Sequence, residues 1–405
     1  MKCLFLAGGY DQIAFIKALK TMGWEVLLAD YNDEPMAAKA ADKFYQVSTL
    51  DCDAILNLAR QQHVDKVLTA CTDQALLTMA YVSEKLGLYS YLSYDQALNV
   101  TNKVEMKKRM LLNGIPTAKA FFIDGSMTSD LKQPLSWPVV VKPVDCNSSK
   151  GVRKVNRSDN YLIAVRNAFS LSRKGMVLVE EYLDGQEISV DVWLNGKNPI
   201  LLGLSKTNKI SGKDGFTIIQ SEYPLDLSNE VITRILDIAA SIATAFDLAD
   251  MPLLLQMVVQ DDNIFVLEFS ARMGGGTKYR LIEEMSGIDI VQLYLDMSIG
   301  KKVVCPLPSL RDDVIHVNYV YMNKGIFSGM NLNQLWKDGI IDDLFQYKKM
   351  GSYIEKAETS SDRVAGVLVK ARNMNLLLEK EKKFLQQAEV YDEHGRNVML
   401  REIYS

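Results

Sequence analysis

At 405 residues, 48% hydrophobic and 24% charged, the chain can build large buried cores in two or three domains. A net charge of −4 argues against general nucleic-acid or membrane partners, and no apolar run reaches transmembrane length. The opening Met1-Lys2-Cys3-Leu4 enters a strand-like segment rather than a signal peptide. Cys3, Cys52, Cys71, Cys146 and Cys305 form no CxxC, which fits reduced thiols and a cytoplasmic location. His63, His316 and His394 have no metal-ligand spacing, so neither a His-based triad nor a zinc site is expected.

Over residues 1–100, strand and helix patterns alternate. Lys2–Leu6 reads as a strand, followed by Ala7-Gly8-Gly9 and a helix over 11–22. A strand over 26–29 ends at Asp30. A helix over 54–62, the strand Lys66–Thr69 and the helix Gln74–Leu86, stopping at Gly87, complete the run. This rhythm predicts a small parallel sheet with helices on both faces. Gly8-Gly9 and Asp30 are a fragment of a dinucleotide fingerprint, but GxGxxG is incomplete and a tight strand-to-helix turn is expected.

A helix over 101–113 carries Lys103, Lys107 and Lys108, read by default as a solvated face, and ends at Gly114 before Pro116. The strand WPVVVKP over 137–143 delivers Lys142 at its end, where burial calls for an anion. The loop 145–152, DCNSSKGV, is small and polar and can wrap phosphates, although it is not a Walker A sequence. A strand over 176–179 runs into Glu180-Glu181-Tyr182-Leu183. Asp184-Gly185 then turns the chain into 187–193, where Glu187, Ser189 and Asp191 share one face. A strand over 201–206 ends at Lys206, the polar stretch 207–216 is expected to be mobile, and an amphipathic helix covers 229–246.

The densest stretch is 253–276, LLLQMVVQDDNIFVLEFSARMGGG. Two apolar runs, 253–259 and 264–269, flank Asp261-Asp262-Asn263 and read as a hairpin. A three-residue turn with Asn263 left-handed would set Gln260 opposite Ile264, Val258 opposite Val266 and Gln256 opposite Glu268. Gln256 and Glu268 side by side can hold a hard cation together with phosphate and water. Arg272 suits bidentate recognition of phosphate or carboxylate, and the amides of Gly274, Gly275 and Gly276 can cradle an anion. These features point to phosphoryl chemistry; a buried hairpin with a salt-bridged glutamate is the plainer alternative. Helices over 277–285 and 290–299, strands over 314–321 and 363–369, and a helix over 376–387 follow.

The order of these motifs resembles the ATP-grasp superfamily of carboxylate–amine ligases, and is carbamoyl-phosphate synthase large-subunit-like, over roughly 1–300. The last third is similar to the extra domain of amino-acid ligase-like members. The resemblance implies an α/β and α+β multidomain fold. A Rossmann-like pre-ATP-grasp domain would span 1–100 and a two-part ATP-grasp domain 101–300, with a lid subdomain at about 116–183. A small α+β C-terminal domain would span 301–405. It implies ATP and Mg²⁺ (or Mn²⁺) as cofactors. Lys103 and Lys142 would contact phosphates, and the loop bearing Ser148, Ser149, Gly151 and Val152 would fold over them. Glu180, Glu181, Tyr182 and Leu183 would form the adenine hinge, and Glu187 would bind ribose. Gln256, Glu268 and Ser270 would hold metal, and Arg272, grouped with Lys206 as catalytic, would steady the acyl phosphate. Most relatives carry glutamate at Gln256 and many asparagine at Ser270, which bears on how many metal ions bind. The implied reaction is ATP-dependent joining of a small-molecule carboxylate to an amine, with an amino acid as the expected amine and a homodimer as the expected assembly. The alternatives are a biotin-carboxylase or carbamoyl-phosphate-type enzyme and a turnover-deficient nucleotide-binding regulatory protein.

Overall fold

Apolar runs at the start of the chain pair in parallel, because helices cover both faces and leave no room for polar alternation. The strands lie in the order Lys43–Gln46, Glu25–Asp30, Lys2–Leu6, Lys66–Thr69. Helices Gln12–Thr21 and Cys52–Gln62 lie between them in the chain, and Gln74–Leu86 follows the last strand. The computed structural model describes residues 1–125, 136–146, 149–210, 216–261, 263–309 and 311–404. The edge strand Lys43–Gln46 was not expected; it is only four residues long with exposed ends, so its apolar signal is weak. Residues of the partial dinucleotide fingerprint hold one another instead. The Asp30 carboxylate accepts from the backbone N–H of Gly8 at 2.7 Å and of Asn32 at 2.8 Å. A Cβ on Gly8 would lie 2.8 Å from Pro35.

The helix expected over 101–113 is Lys103–Leu112, and a further helix that was not expected, Tyr94–Thr101, runs into it. Asn102 is extended (φ −91°, ψ 104°) and caps Lys103–Leu112, its side chain accepting from the Val104 N–H at 3.0 Å. The break sets Lys103 at the first helical position. Next comes a four-stranded antiparallel sheet in the order Ala120–Asp124, Met176–Glu181, Val139–Pro143, Arg153–Val155. The helix Tyr161–Leu171 backs it, and Ile123, Val139, Val141 and Val179 form its core.

An eight-stranded antiparallel sheet lies opposite. Its order is Asn263–Ser270, Pro252–Gln260, Gln186–Asn195, Asn198–Lys209, Ile218–Tyr223, Val314–Val320, Ala365–Ala371, Asp343–Gln346. The chain beyond residue 300 thus extends the sheet begun before it, with Glu222 opposite His316. The helix Met374–Gln387 packs on Val314–Val320 and Ala365–Ala371.

The central hairpin differs from expectation at its tip. Gln260 pairs with Asn263, Val259 with Ile264 and Val258 with Phe265, so the turn is one residue tighter. Asp261, not Asn263, is left-handed (φ 51°), while Asp262 lies outside the described residues. The register then shifts between Met257 and Gln256, with Leu267 as the additional residue on the second strand. This bulge cancels the tighter turn and returns Gln256 opposite Glu268.

Gly185 joins the two sheets at a close approach. A Cβ there would lie 2.4 Å from the Val259 carbonyl oxygen, a backbone atom that cannot swing aside. Gly185→Ala should therefore cost about 1–3 kcal/mol of stability through overpacking. Urea denaturation measures it, and a wild-type midpoint would contradict the close contact.

Candidate active site

A cleft of about 710 Å³ separates the smaller sheet from the larger one. It brings together most of the expected site: Lys103, Lys142, Ser149, Val152, Glu180, Glu181, Tyr182, Leu183, Glu187, Gln256 and Glu268. Ser270 and Arg272 line a smaller adjoining cavity with Lys103, Gln256 and Glu268. Gly151 lines a further cavity shared with Ser149 and Val152. Ser148 and Asn147 lie outside the described residues, as does 211–215 within the expected mobile stretch.

Three of the four lysines that line the cleft already have a carboxylate. Lys103 Nζ lies 2.5 Å from Glu268 Oε2. The Lys103 charge outweighs burial and holds the Glu268 carboxyl down to about 2, so this group is ionised at any physiological pH. Gln256 beside it is neutral. Lys142 Nζ lies 2.5 Å from Glu180 Oε2, and Lys107 Nζ lies 2.6 Å from Glu180 Oε1. Burial works against ionisation of Glu180, yet the two ammonium groups prevail and its pKa is lowered. One expectation is corrected here: Lys107 is not on a solvated face; it is 2% exposed and also donates to Thr117 Oγ1 at 2.6 Å. The Glu180 side chain, in the segment expected to form the adenine hinge, lines the cleft and is ion-paired with both lysines.

The hinge backbone is itself tied down. Glu181 N–H donates to the Lys119 carbonyl at 3.0 Å, and Tyr182 N–H to the Pro138 carbonyl at 3.1 Å. Lys154 stands 3.5 Å over the Tyr182 ring and adds a cation that sequence reasoning missed. Glu187 is ion-paired with Lys209. Lys206 does not join them. Its cross-strand neighbour is Ile188, so it lies on the face opposite Glu187, and its Nζ is 3.3 Å from Glu222. Strand parity explains this correction: Lys209, three residues on, faces the cleft.

Arg272 is 8% exposed and gripped by Asp73, a residue that sequence reading passed over. Its Nε donates to Asp73 Oδ1 at 2.9 Å, and its Nη2 pairs with Oδ2. The Ser270 hydroxyl also donates to Asp73. Of the three glycines expected to cradle an anion, Gly276 gives its N–H to a carboxylate of the protein itself. The Asp11 carboxylate accepts from the N–H of Gly276 at 2.7 Å and of Thr277 at 3.2 Å. A signal for Asp73 existed: it follows the C-terminal end of a parallel strand, where such sheets place their sites.

Among the described residues no group of three or more His, Cys, Asp or Glu side chains could hold a metal by itself. No helix among them is long and apolar enough to cross a membrane.

Comparison with known proteins adds a family. Residues 135–279 match the family described as ATP-grasp domain. The chain is 24% identical over 302 residues to the carbamoyl phosphate synthase large chain of Clostridium beijerinckii, covering 73% of this chain and only 28% of that one. It is also 24% identical over 307 residues to the L-arginine-specific L-amino acid ligase of Bacillus subtilis, covering 73% and 71% of the two chains. The crystal structure of an L-amino acid ligase from Bacillus licheniformis superposes with a TM-score of 0.81 at 19% identity, over 97% of this chain and 98% of that one. At that identity the likeness shows the fold.

The Lys103–Glu268 pair sets a pH dependence. In the unfolded chain the carboxyl titrates near its ordinary 4.5, and in the folded one near 2. Its stabilisation is therefore complete above pH 4.5 and is lost as pH falls toward 2. Lys103→Met should remove it, so the urea-measured gap between wild type and variant should close over that interval. A gap that stays constant would mean that Lys103 does not hold Glu268.

Proposed function

The chain is an ATP-grasp domain protein, similar to L-amino acid ligases and to the carbamoyl phosphate synthase large chain, and on that premise we propose that it joins a carboxylate to the amine of an amino acid at the expense of ATP. The observation that carries the reading is the meeting of Glu268, Gln256 and Lys103 in one cleft, with Arg272 in the adjoining cavity. One ionised carboxylate and one amide suit Mg²⁺ (or Mn²⁺), which takes one or two carboxylates and completes its shell with phosphate and water. When bound, the ion would neutralise phosphate charge. Ser270, held by Asp73, would join only by giving up that contact.

The chain's own residues supply position and charge. Lys103 and Lys142 would exchange Glu268 and Glu180 for nucleotide phosphates. Glu181 to Leu183 would frame adenine, and Glu187 the ribose. In the first step a carboxylate oxygen of the substrate attacks the γ-phosphorus, the bond to ADP breaks, and an acyl phosphate forms. In the second, the amine nitrogen attacks the acyl carbon, phosphate leaves, and the nitrogen loses its proton. Arg272, fixed by Asp73, would stabilise charge on the transferred phosphoryl group. No protein nucleophile is needed; positioning and preorganised charge carry the rate. The similarity to the carbamoyl phosphate synthase large chain supports a second reading, an ATP-dependent enzyme of carbamoyl-phosphate type.

The test is a screen of carboxylate and amine pairs for ADP release. ADP formed only when both are present supports the ligase; nucleotide binding without release under any pair would overturn it in favour of a regulatory protein. Glu268→Gln should lower turnover by about a hundredfold or more while the fold persists. Unchanged ADP production in that variant would remove the metal role from Glu268. Lys142→Ala should weaken a non-hydrolysable ATP analogue by at least about tenfold in calorimetry. Equal affinity in wild type and variant would contradict the phosphate contact.

A further inference from the structure

The cleft does not end at Glu187 and Lys209. It continues along Asn208, Gln220, Asn318 and Glu381 to Leu385 and Tyr404, residues that the proposed reaction leaves unused. Strand parity separates the two ends. Asn208, Gln220 and Asn318 are cross-strand neighbours on one face, whereas Lys209 meets Glu187 on the other. Glu381, Leu385 and Tyr404 also line an adjoining open groove, so this far end has its own way out to solvent.

The hydrogen bonds of the far end all run one way. Glu381, on the helix Met374–Gln387, is 8% exposed. Its Oε1 accepts from Gln220 Nε2, Asn318 Nδ2 and His316 Nδ1, each at 2.9 Å. A carboxylate only accepts, so both amides must turn their NH2 groups toward it, and His316 must carry its hydrogen on Nδ1. Gln220 Nε2 also donates to Asn318 Oδ1 at 2.8 Å. Asn208 Nδ2 donates to Gln220 Oε1 at 2.8 Å and to Glu222. Asn208 and Gln220 have then spent both amide hydrogens, and what is left over accepts. Among the described residues, Glu381 Oε2 and Asn208 Oδ1 have no hydrogen-bond donor.

The charge of Glu381 is not matched either. Among the described residues no lysine or arginine is ion-paired with it; His316 is its one basic partner. His316 Nε2 is buried without a hydrogen-bond partner among those residues, so a second proton there would meet no acceptor. Lys206 is turned to Glu222, Arg401 Nε donates to the Leu385 carbonyl at 2.7 Å, and Lys382 is exposed. A carboxylate held this deep is costly without a cation, and its free oxygen borders a cavity that a ligand can enter.

We propose that this end of the cleft binds a small organic cation carrying N–H donors on an aliphatic stem, an alkylguanidinium or alkylammonium. The head would sit on Glu381 Oε2, with Asn208 Oδ1 as a further acceptor, and the stem would lie along Leu385 and the Tyr404 ring. On the face away from Glu187 and Lys209, this ligand is not the reacting amine but a second ligand of the chain, and the inference does not depend on the ligase reading. The test is calorimetric titration of the whole protein with n-butylguanidinium, n-butylammonium and butyltrimethylammonium, the last a cation without N–H donors. In wild type the first two should bind, at about millimolar for molecules this small, and the trimethylated cation about tenfold or more weakly. Glu381→Gln, which still offers Gln220 and Asn318 an acceptor, should weaken butylguanidinium about tenfold or more. Leu385→Trp, which fills the compartment and leaves the carboxylate in place, should weaken it as well. A saturating non-hydrolysable ATP analogue should leave its affinity unchanged. The inference is overturned if neither donor-bearing cation binds, if the trimethylated cation binds as tightly, or if either variant binds like wild type. It is overturned too if the ATP analogue displaces butylguanidinium, which would put the cation in the nucleotide half of the cleft. The comparison of cations in wild type decides even if a variant fails to fold.

Discussion

Asp73 and Arg272 meet across nearly two hundred residues of sequence, and the geometry of the site depends on that contact. The guanidinium is almost fully buried at the end of the central hairpin. Without the carboxylate its charge would be stranded, a loss of several kcal/mol in typical proteins, about 3–5 by comparison with broken buried pairs. Asp73 also takes the Ser270 hydroxyl, while Asp11 takes the backbone of Gly276 and Thr277. Two acids of the N-terminal unit therefore fix the segment that follows the hairpin. The parallel sheet is part of the site even though it contributes nothing to the lining of the main cleft.

The same rule governs the cleft. Lys103, Lys142, Lys107 and Lys209 each meet a glutamate there. In a partly desolvated space such pairing stands in for the anion the lysines would otherwise lack. On the proposed reading nucleotide entry would be an exchange: phosphate would replace carboxylate on the lysines, and the freed Glu268 would become able to accept a cation. Because Lys103 and a cation would compete for one carboxylate, phosphate binding and metal binding would reinforce each other.

Much of this was legible in the sequence where a local pattern determines the outcome. Lys2–Leu6, Lys66–Thr69 and Gln74–Leu86 fall where periodicity sets them. The errors have local physical causes. Asn102 can end one helix and cap the next, and sequence alone does not say that it does both. The hairpin turn is one residue tighter than the pattern implied, which by itself would turn each side chain to the other face. The bulge at Leu267 repairs it beyond the tip, so Gln256 and Glu268 were paired correctly although the tip was not. Lys206, grouped with Arg272 as catalytic, lies on the face away from Glu187, because strand parity decides which lysine of a strand faces the cleft. Asp11, Lys107 and Arg363 could not be singled out, because their meaning lies in partners far along the chain or in packing that no periodicity encodes.

The continuity of the large sheet constrains how such a site can move. Ile218–Tyr223 pairs with Val314–Val320, and Val314–Val320 with Ala365–Ala371, so Tyr319 and Arg363 are delivered to the glycine loop by strand register. The Tyr319 hydroxyl donates to the Gly276 carbonyl at 3.1 Å and lies 3.5 Å from Ser221 Oγ, closing that corner. Glu268, Gln256, Arg272 and Arg363 thus belong to one hydrogen-bonded body. The smaller sheet, which carries Lys142 and Glu180, meets it through few strand-like links, among them the bridge between Thr117 and Val266 and the close approach at Gly185. Relative motion is cheapest where the fewest backbone hydrogen bonds cross. Closure over a nucleotide would then shift the lysines of the smaller sheet against a fixed arrangement of Glu268 and the two arginines, and the reacting atoms would be aligned by the part of the molecule that does not move.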